Sequence, residues 1–173
     1  MKSQVLNKLF ELNIDEENDK NELINMLEAI KNSKYYSIFK QVLNDVDEEL
    51  FIDDPVHGIS HNERVAILAT YIAIQENISI EDYRILLIAS LYHDIGRKSA
   101  EGREHGRQSA NIIKERKTDI IPNFDDVSTR IVQFLCTIHS NPDDLYPEIL
   151  KEYELEDSTA IRAMTNIIKD QMP

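Results

Sequence analysis

The chain of 173 residues has one cysteine, no tryptophan, four glycines and five prolines. With Cys136 alone no internal disulfide can form, and the composition fits a reducing compartment. So few turn formers argue against a many-stranded β fold. Cations are scarce too: 19 Lys and Arg stand against 32 Asp and Glu, a net charge of −13. Such a surface excludes a non-specific grip on a nucleic-acid duplex, which needs clustered Lys and Arg. Long apolar runs are also missing. The longest, Val65 to Ile74, has ten residues and includes Thr70, whereas a membrane span needs about twenty. At the N-terminus Phe10-Glu11-Leu12 is amphipathic where a signal peptide would be apolar. The expectation is a cytoplasmic protein with no membrane partner.

What is present is helical periodicity. Val5, Leu6, Leu9 and Phe10 share one face over 3–12, as do Leu23, Ile24, Leu27 and Ile30 over 20–31. Over 34–50 the face is Ile38, Val42, Leu43, Val46 and Leu50. Asp53-Asp54-Pro55 and Gly58 mark a loop. Ser60 to Glu63 has capping-box form and opens a helix to about Gln75. Ser79 opens another through Ile85, Leu86, Ile88, Ala89 and Tyr92, with Gly96 placed to end it in a left-handed turn. Helices follow over 105–117 and 126–139, Pro122, Asn141-Pro142 and Pro147 mark breaks, and a last helix covers roughly 157–171. The fold class expected is all-α, with residues 1–50 as a helical segment packing on a core formed by 51–173.

Four of the five histidines fall where apolar residues set an inward face. His61 aligns with Val65, Leu68 and Ile72, His93 with Leu86 and Ala89, His105 with Ile112, and His139 with Ile131 and Leu135. One inward histidine is ordinarily a hydrogen-bonded core residue. Four in a small domain are better explained together, because each unsatisfied buried imidazole costs about 1–3 kcal/mol. A shared metal ion satisfies them at once. Asp94, after the apolar run that ends at Leu91, is costly to bury unless it pairs or coordinates; pairing with Arg97 at i+3 is the plain alternative.

Several segments resemble the HD superfamily of metal-dependent phosphohydrolases: His57-Gly58-Ile59-Ser60-His61-Asn62-Glu63-Arg64-Val65, Leu91-Tyr92-His93-Asp94-Ile95-Gly96-Arg97, Glu104-His105-Gly106-Arg107-Gln108-Ser109-Ala110 and Ile138-His139-Ser140. The resemblance covers about residues 51–173. It implies a bundle of about five core helices with additional N-terminal helices. It also implies metal ligands at His61, His93 and Asp94, with His105 and His139 serving a second ion and Asp94 bridging. The last ligand of the family is usually the second Asp of an Asp-Ala-Asp stretch. Here Asp170 matches the first Asp and Met172 stands at the second, so Asp170 is the candidate for the remaining position.

Imidazole and carboxylate donors suit Mn, Fe, Co, Ni or Zn, as one or two ions. The function expected is hydrolysis of a small phosphoester, a nucleotide or related phosphorylated metabolite, by attack of metal-bound water. Asp94 and Arg97 would be catalytic, and Arg97 and His57 would bind substrate. Two other readings stay open: an HD module impaired in catalysis that binds a ligand or partner, and a diiron oxygenase of HD type.

Overall fold

The computed structural model describes residues 17–170; the helix expected over 3–12, and Met172, lie outside the described residues. Within them every regular element is helical and no strand occurs. The helices are α1 (Glu17–Lys31), α2 (Tyr36–Asn44), α3 (Ile59–Glu76), α4 (Ile80–Tyr92), α5 (Glu104–Glu115), α6 (Lys117–Ile120), α7 (Asp126–Ile138), α8 (Tyr146–Glu152) and α9 (Thr159–Asp170). Short 3-10 turns at Glu48–Leu50, Ile95–Lys98 and Asp143–Leu145 join them.

The arrangement follows from α4. Ile85 through Tyr92 leave it no polar face, and every residue of that run is buried. A helix that is apolar all round must lie at the centre. The helices around it are α3, α7, α9 and α2. Ser79 starts α4 by accepting a hydrogen bond from the Asp82 amide at 3.1 Å, the cap its sequence suggests. Asn77, at φ 49°, ends α3 in the left-handed conformation. α1 packs on α3, and Leu27, Ile30, Tyr35, Phe39 and Leu43 join the same core. Tyr35 fastens this segment. Its ring lies 4.3 Å from that of Tyr83, and its hydroxyl donates to the carbonyls of Ala73 and Ile78.

Three local expectations are corrected. The Ser60 capping box does not form: α3 begins one residue earlier, with Gly58 as its N-cap and no side-chain cap. The 34–50 stretch is not continuous, because α2 ends at Asn44 and resumes only as the 3-10 turn at Glu48–Leu50. Gly96 is not left-handed; the only glycine with positive φ among the described residues is Gly102. The reason for Gly96 is space. A Cβ there would sit 2.1 Å from the His105 carbonyl oxygen and 2.6 Å from the Ser109 amide nitrogen. α5 crosses directly over the turn that follows α4. Gly106 plays the same part where α5 meets α7, since a Cβ would come within 2.4 Å of the Cys136 carbonyl oxygen.

Two results follow from this packing. Gly96→Ala should lower the free energy of unfolding by about 1–3 kcal/mol, read from urea denaturation followed by circular dichroism. Cys136 is fully buried, and burial pushes its thiol well up from the usual range. It should stay unreactive to Ellman's reagent in the native chain and react once the chain is denatured.

Candidate metal centre

Each functional side chain enters the site from the end of an element. α4 stops at Tyr92, His93 caps it, and Asp94 opens the 3-10 turn Ile95–Lys98. α7 stops at Ile138 and His139 caps it. His105 is the second residue of α5 and His61 the third of α3. Two helix C-termini thus converge, bringing partial negative charge that favours a cation between them. His57 comes from the turn before α3. There the Asp54 side chain accepts hydrogen bonds from the Val56 and His57 amides at 2.8 and 2.7 Å.

Asp94 is the centre of the arrangement, with its side chain 1% exposed. Its two oxygens face different partners. Oδ2 lies 3.4 Å from His93 Nε2, 3.7 Å from His61 Nε2 and 3.7 Å from His57 Nδ1. Oδ1 lies 2.9 Å from Arg97 Nε, 3.0 Å from His105 Nε2 and 3.5 Å from His139 Nε2. Burial pushes this carboxyl up, while the Arg97 guanidinium, 2.9 Å away, favours its charged form. It is a carboxylate.

The histidines are turned by the backbone. Nδ1 of His93 donates to the Ser90 carbonyl at 2.7 Å, Nδ1 of His105 to that of Gly102, and Nδ1 of His139 to that of Cys136. Placing the proton on Nδ1 leaves each Nε2 as a lone-pair acceptor. Nε2 of His105 and Nε2 of His139 are then two acceptors 2.9 Å apart. His93 Nε2 is buried with no hydrogen-bond partner, and neither oxygen of Asp94 is in hydrogen-bond geometry. Lone pairs that crowd one another in this way repel unless a cation lies among them. The residues therefore fit a metal ion. Burial, with the nearby His93, lowers the pKa of His61 to about 4. Burial likewise takes His139 to about 4, with the Asp94 carboxylate opposing it.

The donor atoms form two groups, His61 with His93 and Asp94, and Asp94 with His105 and His139, the atoms of each within 4.8 Å of one another. Asp94 belongs to both. Of the residues expected from sequence, the structure thus brings His61, His93, Asp94, His105 and His139 together, with Arg97 and His57 beside them. It does not bring in Asp170, which is exposed at the end of α9 and lines a groove with Asp143, Tyr146 and Arg162. Lys98 is also turned away, donating to the Glu49 carbonyl.

Two contributors lie within the quoted segments, but the sequence assigned them no role. Ser109 takes a hydrogen bond from the Gly96 amide at 2.9 Å and donates to the carbonyls of His93 and His105 at 2.6 and 3.0 Å. It latches α5 to the turn that carries the His-Asp pair. Its alignment with His105 on the inward face of α5, inside the quoted segment, was the available signal. Arg64 lines the mouth of the site with His57, His61 and Arg97, in a cavity of about 440 Å³. Its spacing of three from His61 was the available signal.

The Nδ1 bonds give a direct test. In the metal-free chain, His93, His105 and His139 should each carry a proton on Nδ1, and His139 should be neutral at neutral pH, as measured by long-range ¹H–¹⁵N correlation of the ring nitrogens.

Among the described residues no helix is long and apolar enough to cross a membrane. No curated protein and no solved structure matches the chain. A family model, described as HD domain, matches residues 58–166, more than half of the chain. That span carries every member of both donor groups, and the chain belongs to the HD domain family.

Proposed function

We propose that the protein is a metal-dependent phosphohydrolase of the HD type that hydrolyses a small phosphoester. The family generally comprises metal-dependent phosphohydrolases, which is the coarser ground for this reading. The observation that carries it is the pair of acceptor nitrogens of His105 and His139, 2.9 Å apart beside a buried carboxylate.

His61, His93 and Asp94 would hold one divalent transition-metal ion, and Asp94, His105 and His139 a second. An ion held by such donors lowers the pKa of water and polarises a phosphoryl oxygen. The chain's own residues do the remainder. Asp94 stays ionised and holds both groups of donors in register. Arg97, 26% exposed, offers the guanidinium face that Asp94 does not use, a geometry suited to phosphate oxygens. His57, 40% exposed, stands at the solvent side, where it meets the ester first. The wall of α4 and α7 residues beneath the site keeps it dry below, which strengthens each charge interaction. A nucleotide or a related phosphorylated metabolite is the substrate class we favour. The cavity, about 440 Å³, is of a size that takes a small metabolite.

Chain purified without a metal-chelating tag should contain about one or two transition-metal ions. Asp94→Asn should lose both, while His139→Ala should retain the ion held with His61 and His93; elemental analysis reads both outcomes. Wild-type chain that takes up no Mn, Fe, Co, Ni or Zn would end the reading. With metal present, Arg97→Ala should lower kcat/KM for the best phosphoester of a panel by about 10²-fold or more, with metal content unchanged.

A further inference from the structure

Among the described arginines Arg97 lies against Asp94, and Arg84 and Arg103 are exposed and without an ion pair to a described residue; the other five divide into two kinds. Arg107, Arg116, Arg130 and Arg162 each pair with a carboxylate, respectively Glu152, Asp47, Glu154 and Asp157. In a chain with a net charge of −13 that is the expected fate of a guanidinium. Arg64 is different. It is half-buried, and it makes no hydrogen bond or ion pair with any described residue. It lies three residues after His61 on α3, so both rise from the same side of the helix. It also lines the same cavity as Asp94 and Arg97. A half-buried guanidinium beside a cluster of ligands, with no described carboxylate to answer its charge, is arranged for an anion that arrives from outside.

Charge decides what kind of anion. Asp94 is the one carboxylate lining the cavity among the described residues, and Arg97 already lies 2.9 Å from it. Arg64 therefore adds a positive charge that no described residue cancels. A phosphate diester carries a single negative charge, whereas a monoester carries nearly two at neutral pH, its second pKa being about 6. Shape points the same way. Pro55 and Val56 line the mouth, and Val56 is 60% exposed, one of two large apolar side chains left so open among the described residues. They form a single apolar ledge, suited to one organic arm.

Resting on the proposed hydrolase reading, we infer that Arg64 joins Arg97 in gripping the phosphate, and that the site selects a phosphate monoester with one organic arm seated on Pro55 and Val56. Arg64 then sets which charge state is accepted, and the ledge sets what the phosphate is attached to.

The test is calorimetric titration of the full chain, metal-free and Mn-loaded, with inorganic phosphate and with dimethyl phosphate. Wild-type chain should bind phosphate about tenfold or more tightly than dimethyl phosphate. Arg64→Gln should weaken phosphate about ten- to hundredfold, as loss of a charge-assisted hydrogen bond implies, and narrow the gap between the two probes. Arg64→Lys should recover part of the loss, and the metal content of all three should be equal. Val56→Glu alters an exposed side chain, so it keeps the fold intact, and it should weaken phosphate more than dimethyl phosphate. Equal phosphate affinity in wild type and Arg64→Gln would overturn the inference, as would equal affinity of wild type for the two probes. Phosphate binding that depends on Arg64 in a chain that takes up no metal would keep the anion grip and overturn the hydrolase reading instead.

Discussion

A carboxylate buried at the end of an apolar helix is the constraint from which the rest follows. Moving such a charge out of water is prohibitive unless partners surround it. Asp94 meets that demand by presenting one oxygen to His93, His61 and His57 and the other to Arg97, His105 and His139. Four elements must therefore end at one point. The close crossing of α5 over the turn at Gly96, and of α5 against α7 at Gly106, is what lets them do so. Packing and chemistry are one requirement here, because a methyl group at either glycine would move a ligand.

The protein's charge distribution adds a second layer. The chain is acidic overall, yet the mouth of the site is lined by Arg64, Arg97 and His57 against a single carboxylate. An acidic exterior around a positively lined opening repels polyanions broadly while leaving one place where a small phosphorylated molecule is stabilised. The same contrast explains why most arginines elsewhere are spent on surface pairs of small energetic consequence, whereas those at the opening are left available.

Much of this was legible from residues alone. The apolar run of α4 marked a helix, whose central place only the structure shows, and four histidines on apolar faces announced a shared centre. The His-Asp doublet followed by Ile-Gly-Arg placed the site at that helix's end. Local signals were weaker where tertiary contact decided the outcome. Ser60 and Glu63 carry a capping pattern, but the turn built on Asp54 hands the cap to Gly58. Gly96 reads as a helix terminator, while its reason is the backbone of α5, which no local pattern contains. Asp170 shares a face with Ala163 and Ile167, yet the structure leaves it exposed, because Ala163 is itself exposed and that face lies at the edge of the core. Ser109 and Arg64 depend on what stands opposite them, and one sequence does not list neighbours across space.

The Nδ1 anchors of the three innermost histidines all end on main-chain carbonyls, those of Ser90, Gly102 and Cys136. A carbonyl is supplied by every amino acid. The orientation of the rings is thus set by the path of the chain and not by the identity of any supporting side chain. Ser90 and Cys136 can give way to residues of similar size without rotating an imidazole, whereas Gly102, at φ 58°, is held by its left-handed backbone. What the sequence cannot do is shift a helix end. At those two positions the centre is more robust to replacement than to displacement, so insertions or deletions near residues 90 and 136 should be far less tolerated than substitutions of similar size there.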